Sequence, residues 1–219
     1  MDEPNNSDHL NSSLTDLMTS LMVIFILLLL VFVHRTAGKD AAVTDVLLKR
    51  LLHDMKPQGF NEKTIRPDPR DRNAILVIVP DRLMNFETGK STLRPEGEQF
   101  LKRYIPDFAE VLCSDEFRAS IESIVVEGHT DTQQYAGYSP EESENLNLKL
   151  SQDRSMQVVK NALADLSGME AKRGCFLEKL SASGRGAQEQ ETSAEESRRV
   201  ILKIRVKVVE VESTKVAVH

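Results

Sequence analysis

Residues 14–33 read LTDLMTSLMVIFILLLLVFV. Twenty residues at about 1.5 Å rise per residue reach roughly 30 Å, the thickness of a bilayer's hydrocarbon core. The stretch carries one ionisable side chain, Asp16, followed by 17 uncharged residues from 17 to 33. A cleaved signal peptide opens on basic residues, has a shorter apolar run and ends at a small-residue site. Here no Lys or Arg occurs in the first 34 residues, and His34-Arg35 follows the run, so an uncleaved anchor is expected. Asp16 admits two readings from the residues alone. It can sit at headgroup level and cap the first helical turn. Or it can lie within lipid, where a carboxylate costs about 2.5–3.5 kcal/mol at the helix centre and is usually kept to handle ions. Ser12, Asp16, Thr19 and Ser20 share one helical face at i, i+4 and i+7/i+8, a polar stripe suited to an ion path or a facing protein helix.

Outside the anchor, 40% hydrophobic and 28% charged residues supply a core for one domain of ordinary size. A net charge of −6 without a basic cluster argues against nucleic acid as a partner. The two cysteines, Cys113 and Cys175, form no CxxC or Cys/His ligand spacing, so no metal site is expected. No nucleophile constellation is visible, and neither enzymatic activity nor a cofactor is expected. By Lys and Arg count the basic residues Arg35, Lys39, Lys49 and Arg50 all follow the anchor, which by the positive-inside rule places the large domain in the cytoplasm.

The expected division is a tail at 1–13, a transmembrane helix at 14–34, a helix and linker at 35–73, a folded domain at 74–211 and a tail at 212–219. In 40–55, Val43, Val46, Leu47, Leu51 and Leu52 recur at helical spacing, and Lys56-Pro57-Gln58-Gly59 stops the pattern. That helix can pair with its copy, plug a channel, or pack on the domain. A charged linker containing proline is expected up to Arg72. Strands are expected at 74–79, 121–126, 176–181 and 199–211, and helices at 94–113 and 145–166. This order implies an α+β fold, a mixed sheet with two helices on one face.

Five pieces of the domain occur in a telling order: Phe86-Glu-Thr-Gly-Lys-Ser-Thr-Leu93 followed by Pro95; Val126-Glu-Gly-His-Thr-Asp131; Leu150-Ser-Gln-Asp-Arg154; Gly184-Arg-Gly186; and Arg198-Arg-Val200. Together they resemble the OmpA C-terminal, peptidoglycan-binding family over 74–211. The resemblance implies a receptor for the diaminopimelate of the cell-wall peptide. The chemistry fits: an amino-acid centre presents ammonium beside carboxylate, so its receptor needs an acid and a planar base. Asp131 would take the ammonium and Arg154 the carboxylate through a bidentate fork; an ordinary Asp131–Arg154 ion pair is the plainer alternative. The resemblance further implies that Thr130 lies beside the pocket and that one of Arg198 and Arg199 supports it. His129 suits a structural role at the strand end. Three departures bear on the pocket: Ser197 where the family has Asn, Ser155 where it has Ala, and a long loop at 132–144.

The segment Asp16-Leu-Met-Thr-Ser-Leu21 with its apolar run resembles the ion-carrying helix of bacterial stator B subunits, the MotB and ZorB families, and its wording is closer to ZorB. That resemblance implies a homodimer inside a ring of five polytopic A subunits (MotA/ZorA-like). It also implies H⁺ rather than Na⁺ as the transported ion on Asp16, and a proton-driven rotary motor held by peptidoglycan in Zorya-type anti-phage defence. A wall-binding domain must lie outside the inner membrane. The expectation is therefore a single-pass bacterial inner-membrane protein, N-terminus cytoplasmic and domain periplasmic, against the charge count. Alternatives are a flagellar MotB stator, a passive wall anchor and an ExbD-like energy-transducing subunit. In an oxidising periplasm Cys113 and Cys175 would form one disulfide or remain two buried thiols.

Overall fold

The computed structural model describes residues 6–84, 86–87 and 89–207, with side chains at 14–33 and from 43 onward. The chain divides into two units, and 41–208 is one of them. Its sheet has five strands: β1 (Ile65–Asp68), β2 (Asp71–Pro80), β3 (Ile121–His129), β4 (Leu180–Gly184) and β5 (Arg199–Val206). The order is β1-β2-β5-β3-β4, antiparallel except for the β3–β4 pair. The helices are α1 (Asn6–Met55), α2 (Asp81–Met84), α3 (Pro95–Leu112), α4 (Pro140–Asp165), α5 (Glu170–Lys179) and α6 (Ala194–Ser197). This is the α+β class with a mixed sheet, with α5 and the end of α1 joining the two expected helices at the core.

Alternation along the three central strands puts one side chain in two on the helix side. The register then stacks them in rows: Ile75–Ile204–Ile124, then Val77–Leu202–Val126, then Val79–Val200–Gly128. The third row continues to Gly184 on β4. Two neighbouring glycines leave a shallow in the sheet, and α4 lies in it. A Cβ on Gly128 would stand 2.1 Å from the Ser151 carbonyl oxygen, and one on Gly184 would stand 2.7 Å from the Gln152 nitrogen. Side chains of the same helical turn close the contact: Gly186 N donates to Ser151 Oγ (2.8 Å) and Gly184 N to Gln152 Oε1 (2.6 Å). A capping box at Ser139 and Glu142 starts α4.

Leu47, Leu51 and Met55 of α1 are buried in the same core with Phe60. Packing on the domain is thus what the apolar face of the 40–55 stretch does, and only Val46 of the expected set is left largely exposed. Two expectations need correction. The linker before Arg72 contains β1, which reads as a linker because Pro67 and charged residues interrupt it; at a sheet edge a proline is tolerated. The 176–181 stretch is not a strand: α5 runs to Lys179, Phe176 is a buried helix residue, and β4 begins at Leu180. Residues 35–39 are helical, inside α1. β5 ends at Val206; 208–211 of the expected strand and the 212–219 tail lie outside the described residues.

Cys113, at the C-cap of α3, is joined to Cys175 of α5 by a disulfide with Cα atoms 6.1 Å apart, 62 residues apart in sequence. A cross-link closing a loop of that length stabilises by about 4 kcal/mol, chiefly by restricting the unfolded chain. Reduction is expected to lower the thermal midpoint of the purified protein, and a Cys113→Ser/Cys175→Ser variant should be insensitive to reductant. An unchanged midpoint for the wild type would contradict the bridge.

Candidate functional site

The sheet topology assembles the site. β2 and β3 both run antiparallel to β5, so the chain leaves β2 and β3 at the same end of the sheet at which it enters β5. Three charged residues fall there: Asp81 just after β2, Arg198 just before β5 and Asp131 just after β3. The ladder continues to them through Asp81 N donating to the Arg198 carbonyl (3.1 Å). The Arg198 guanidinium bridges both acids, Nη1 to Asp131 Oδ2 at 2.7 Å and Nε to Asp81 Oδ2 at 3.4 Å. The Asp131 hydrogen bond comes first among the causes that raise the Arg198 pKa.

Arg154 arrives from the other side. It lies one turn beyond Ser151, so the contact over Gly128 and Gly184 carries it to the same end of the sheet. Its side chain is buried, its Nε donates to the Lys90 carbonyl (3.0 Å), and its guanidinium carbon stands 4.9 Å from the Phe86 ring centroid. The 86–93 segment is held for this by a Phe86–Leu93 bridge and a turn with Gly89 at φ +68°. Burial lowers the Arg154 pKa, and the charges of Asp81, Tyr135 and Asp131 oppose this, Asp81 most. No hydrogen bond from the two terminal nitrogens of Arg154 occurs among the described residues.

These residues line one cavity of about 520 Å³, with Phe86, Thr130 and the loop residues Gln133, Gln134 and Tyr135 completing the wall. The long loop is tied to α4: Asn147 Nδ2 donates to the Gln133 carbonyl (3.1 Å) and Tyr135 N to Ser143 Oγ (3.1 Å). Asp131 Oδ1 accepts from Gln133 N (3.1 Å), so it also holds the loop. The buried Thr130 hydroxyl has no hydrogen-bond partner among the described residues. A planar cationic fork and two carboxylates around one space suit a ligand with adjacent ammonium and carboxylate groups.

Of the residues expected here, Asp131, Arg154, Thr130 and Arg198 come together at the cavity. Arg199 does not. Successive strand residues face opposite sides of a sheet, and Arg199 turns to the face away from the helices. There it bonds the Ser197 and Glu189 carbonyls and lies beside a different cavity. The Asp131–Arg154 ion pair is absent among the described residues; Arg198 is the partner of Asp131. His129 is buried with Nδ1 against the Gln188 carbonyl (3.3 Å), away from the cavity. Ser197 accepts from Glu191 N and donates to the Ser193 carbonyl, closing the loop before β5, and Ser155 donates to the Gln152 carbonyl within α4. Asp81 and Tyr135 were not expected. The signal for Asp81 was its place immediately after an apolar strand, the same setting as Asp131.

In the other unit, Leu14–Val33 is helical throughout and none of it is buried. Asp16, Thr19 and Ser20 are exposed, and the Thr19 hydroxyl donates to the Thr15 (3.0 Å) and Asp16 (2.9 Å) carbonyls. The Ser12 side chain lies outside the described residues. A helix apolar on every side from 21 to 33 needs lipid or protein around it.

A mixed sheet with helices on one face and a charged cavity at its end defines an α+β domain with a candidate ligand site. The chain belongs to the OmpA family, whose model matches residues 85–200. It is similar to the Zorya protein ZorB of Escherichia coli (strain Crooks), 26% identical over an alignment 157 residues long that covers 67% of this chain and 64% of that protein. Its fold is also that of a MotB-like protein from Desulfovibrio vulgaris, with a TM-score of 0.55 at 20% identity over 78% of this chain and 98% of that one.

Proposed function

We propose that this chain is the B subunit of a proton-driven stator in Zorya-type anti-phage defence, anchored to peptidoglycan. The observation that carries the reading is the joining, in one chain, of a membrane-length helix with a single acid to a domain whose cavity has the chemistry to hold diaminopimelate. The similarity to a Zorya protein supports defence over flagellar motility.

In this reading the domain is periplasmic and the N-terminus cytoplasmic, in the bacterial inner membrane. Two copies stand inside a ring of five polytopic A subunits. A proton entering from the periplasm neutralises Asp16, which removes the cost of holding a carboxylate against apolar surroundings and alters the fit of that helix face to the ring. Release to the cytoplasm restores the charge. Each charge crossing 100 mV supplies about 2.3 kcal/mol, and repeated transfers turn the ring. Torque requires a fixed partner, and the cavity supplies it by gripping the wall peptide. Arg154 forks the ligand carboxylate, while the Asp131–Arg198–Asp81 cluster presents the acids for its ammonium.

Orientation is the cheapest test, because the charge count predicts the reverse. Alkaline phosphatase fused after His219 is expected to be active in intact cells. An inactive fusion present at normal level would place the domain in the cytoplasm and remove the wall from the mechanism.

A further inference from the structure

His129, the last residue of β3, is buried, and an oxygen stands opposite each of its ring nitrogens. Nδ1 lies 3.3 Å from the Gln188 carbonyl oxygen. Nε2 has no hydrogen-bond partner among the described residues and lies 3.8 Å from Glu127 Oε2. A neutral imidazole carries one N–H, so in either tautomer one ring nitrogen turns a lone pair toward an oxygen. Only the doubly protonated ring matches both. The charged groups around it are Glu127 on its own strand, Arg199 opposite it on β5 with Arg66 of β1 nearby, and Arg185, Glu189 and Glu191 on the loop before β5. Glu189 is taken by Arg70 and Arg185, and Glu191 by Arg199, whereas Glu127 meets no Lys or Arg at ion-pair distance among the described residues.

The ring sits where the parts of the wall cavity are tied together. Arg185 N donates to the Gly128 carbonyl (2.9 Å), Thr130 N to the Gly186 carbonyl (2.8 Å) and Gln190 Nε2 to the Thr130 carbonyl (3.0 Å). The 185–190 loop therefore clasps the end of β3 on both sides of His129. Asp131 follows on one strand, and the chain beyond the loop delivers Arg198, its partner at 2.7 Å. We propose that His129 is a proton-responsive positioning residue of this cavity. With both ring nitrogens protonated it bonds the Gln188 carbonyl and the Glu127 carboxylate at once, fixing the loop against β3 and holding Asp131 and Arg198 in place for the ligand. The charge of Arg199 opposes the second proton and that of Glu127 favours it; an approach of about 1 Å by the carboxylate completes the bond. The proposal rests on the wall-binding reading. Protonation and ligand binding then strengthen each other, because coupling between two sites is reciprocal.

The test is calorimetric titration of the full chain in detergent with the tripeptide N-acetyl-L-Ala-D-Glu-diaminopimelate at about pH 7.0 and 5.5, inside the range where imidazole suits a proton switch. Across it the carboxylates of the peptide stay ionised and its amino group stays protonated. The wild type is expected to bind about fivefold more tightly at the lower pH, the small end of the usual range for coupled sites. His129→Gln, whose amide cannot take up a proton, should show one affinity at both values, a result that a purely structural role for the ring would not produce. Glu127→Gln keeps the size of a half-buried side chain and removes its charge, so the rise should shrink below about twofold; it carries the test if a thermal melt shows His129→Gln unfolded. A flat wild-type profile, or a full rise in either folded variant, would overturn the role of His129 while leaving the wall cavity in place. Failure of the tripeptide to bind at either pH would overturn the wall-binding reading and this proposal with it.

Discussion

Replacing Arg154 by alanine is expected to weaken binding of a diaminopimelate-containing peptide by about 100-fold, the loss of a bidentate charged pair inside a partly dry cavity. The guanidinium is positioned by the Lys90 carbonyl and the Phe86 ring, so its two terminal nitrogens are held in place before the ligand arrives. Arg154→Lys keeps the charge but lacks the planar fork, and should recover only part of the affinity. Both variants leave the Arg198–Asp131 pair intact. A thermal melt separates lost binding from lost folding, because removing the Phe86 contact carries its own modest cost. Unchanged peptide affinity in a folded Arg154→Ala protein would mean that the cavity does not take a carboxylate there.

The second large effect is expected at Asp16. Asp16→Asn preserves size and helical tendency but removes the titratable group, so it should abolish phage protection outright while membrane insertion and wall binding persist. An acid that only capped the helix at the headgroups would behave otherwise. Asparagine is as good an N-cap as aspartate, so protection would survive. The same substitution therefore separates the two readings that the residues left open. The exposure of Leu14–Val33 along its whole length is consistent with a helix that meets a partner or lipid on every side.

Much of the fold was legible because it is written in short-range pattern. The short apolar run at 74–79 and the apolar-rich 121–126 marked two strands that stack row by row against β5. Glycines 128 and 184 were visible in the chain, but not that they are neighbours in the sheet. That depends on β4 lying beside β3, and β4 was misplaced because the apolar Phe176 and Leu177 lead directly into it while 176–179 form the end of α5. β1 was missed for the opposite reason: a short edge strand needs little apolar sequence, and Pro67 disguised it.

At the site, Asp131 and Arg154 were read from chemistry and resemblance. What escaped was long-range. Asp81 joins the cluster only because β2 and β3 flank β5 with the same polarity, a fact of topology that no local window carries. Arg198 and Arg199 are adjacent in sequence, and only the start of β5 determines which of them faces the cavity.

The proposed stator role requires Asp16 to carry protons in a chain held by the wall. The most direct measurement is the decay of an imposed pH gradient in vesicles containing this chain together with a polytopic A-subunit partner, read with a pH-sensitive dye. The wild type is expected to dissipate the gradient faster than the Asp16→Asn variant, which should match vesicles lacking the pair. Equal rates for wild type and variant, above that background, would show that protons cross by a route in which this carboxylate has no part, and would contradict the account.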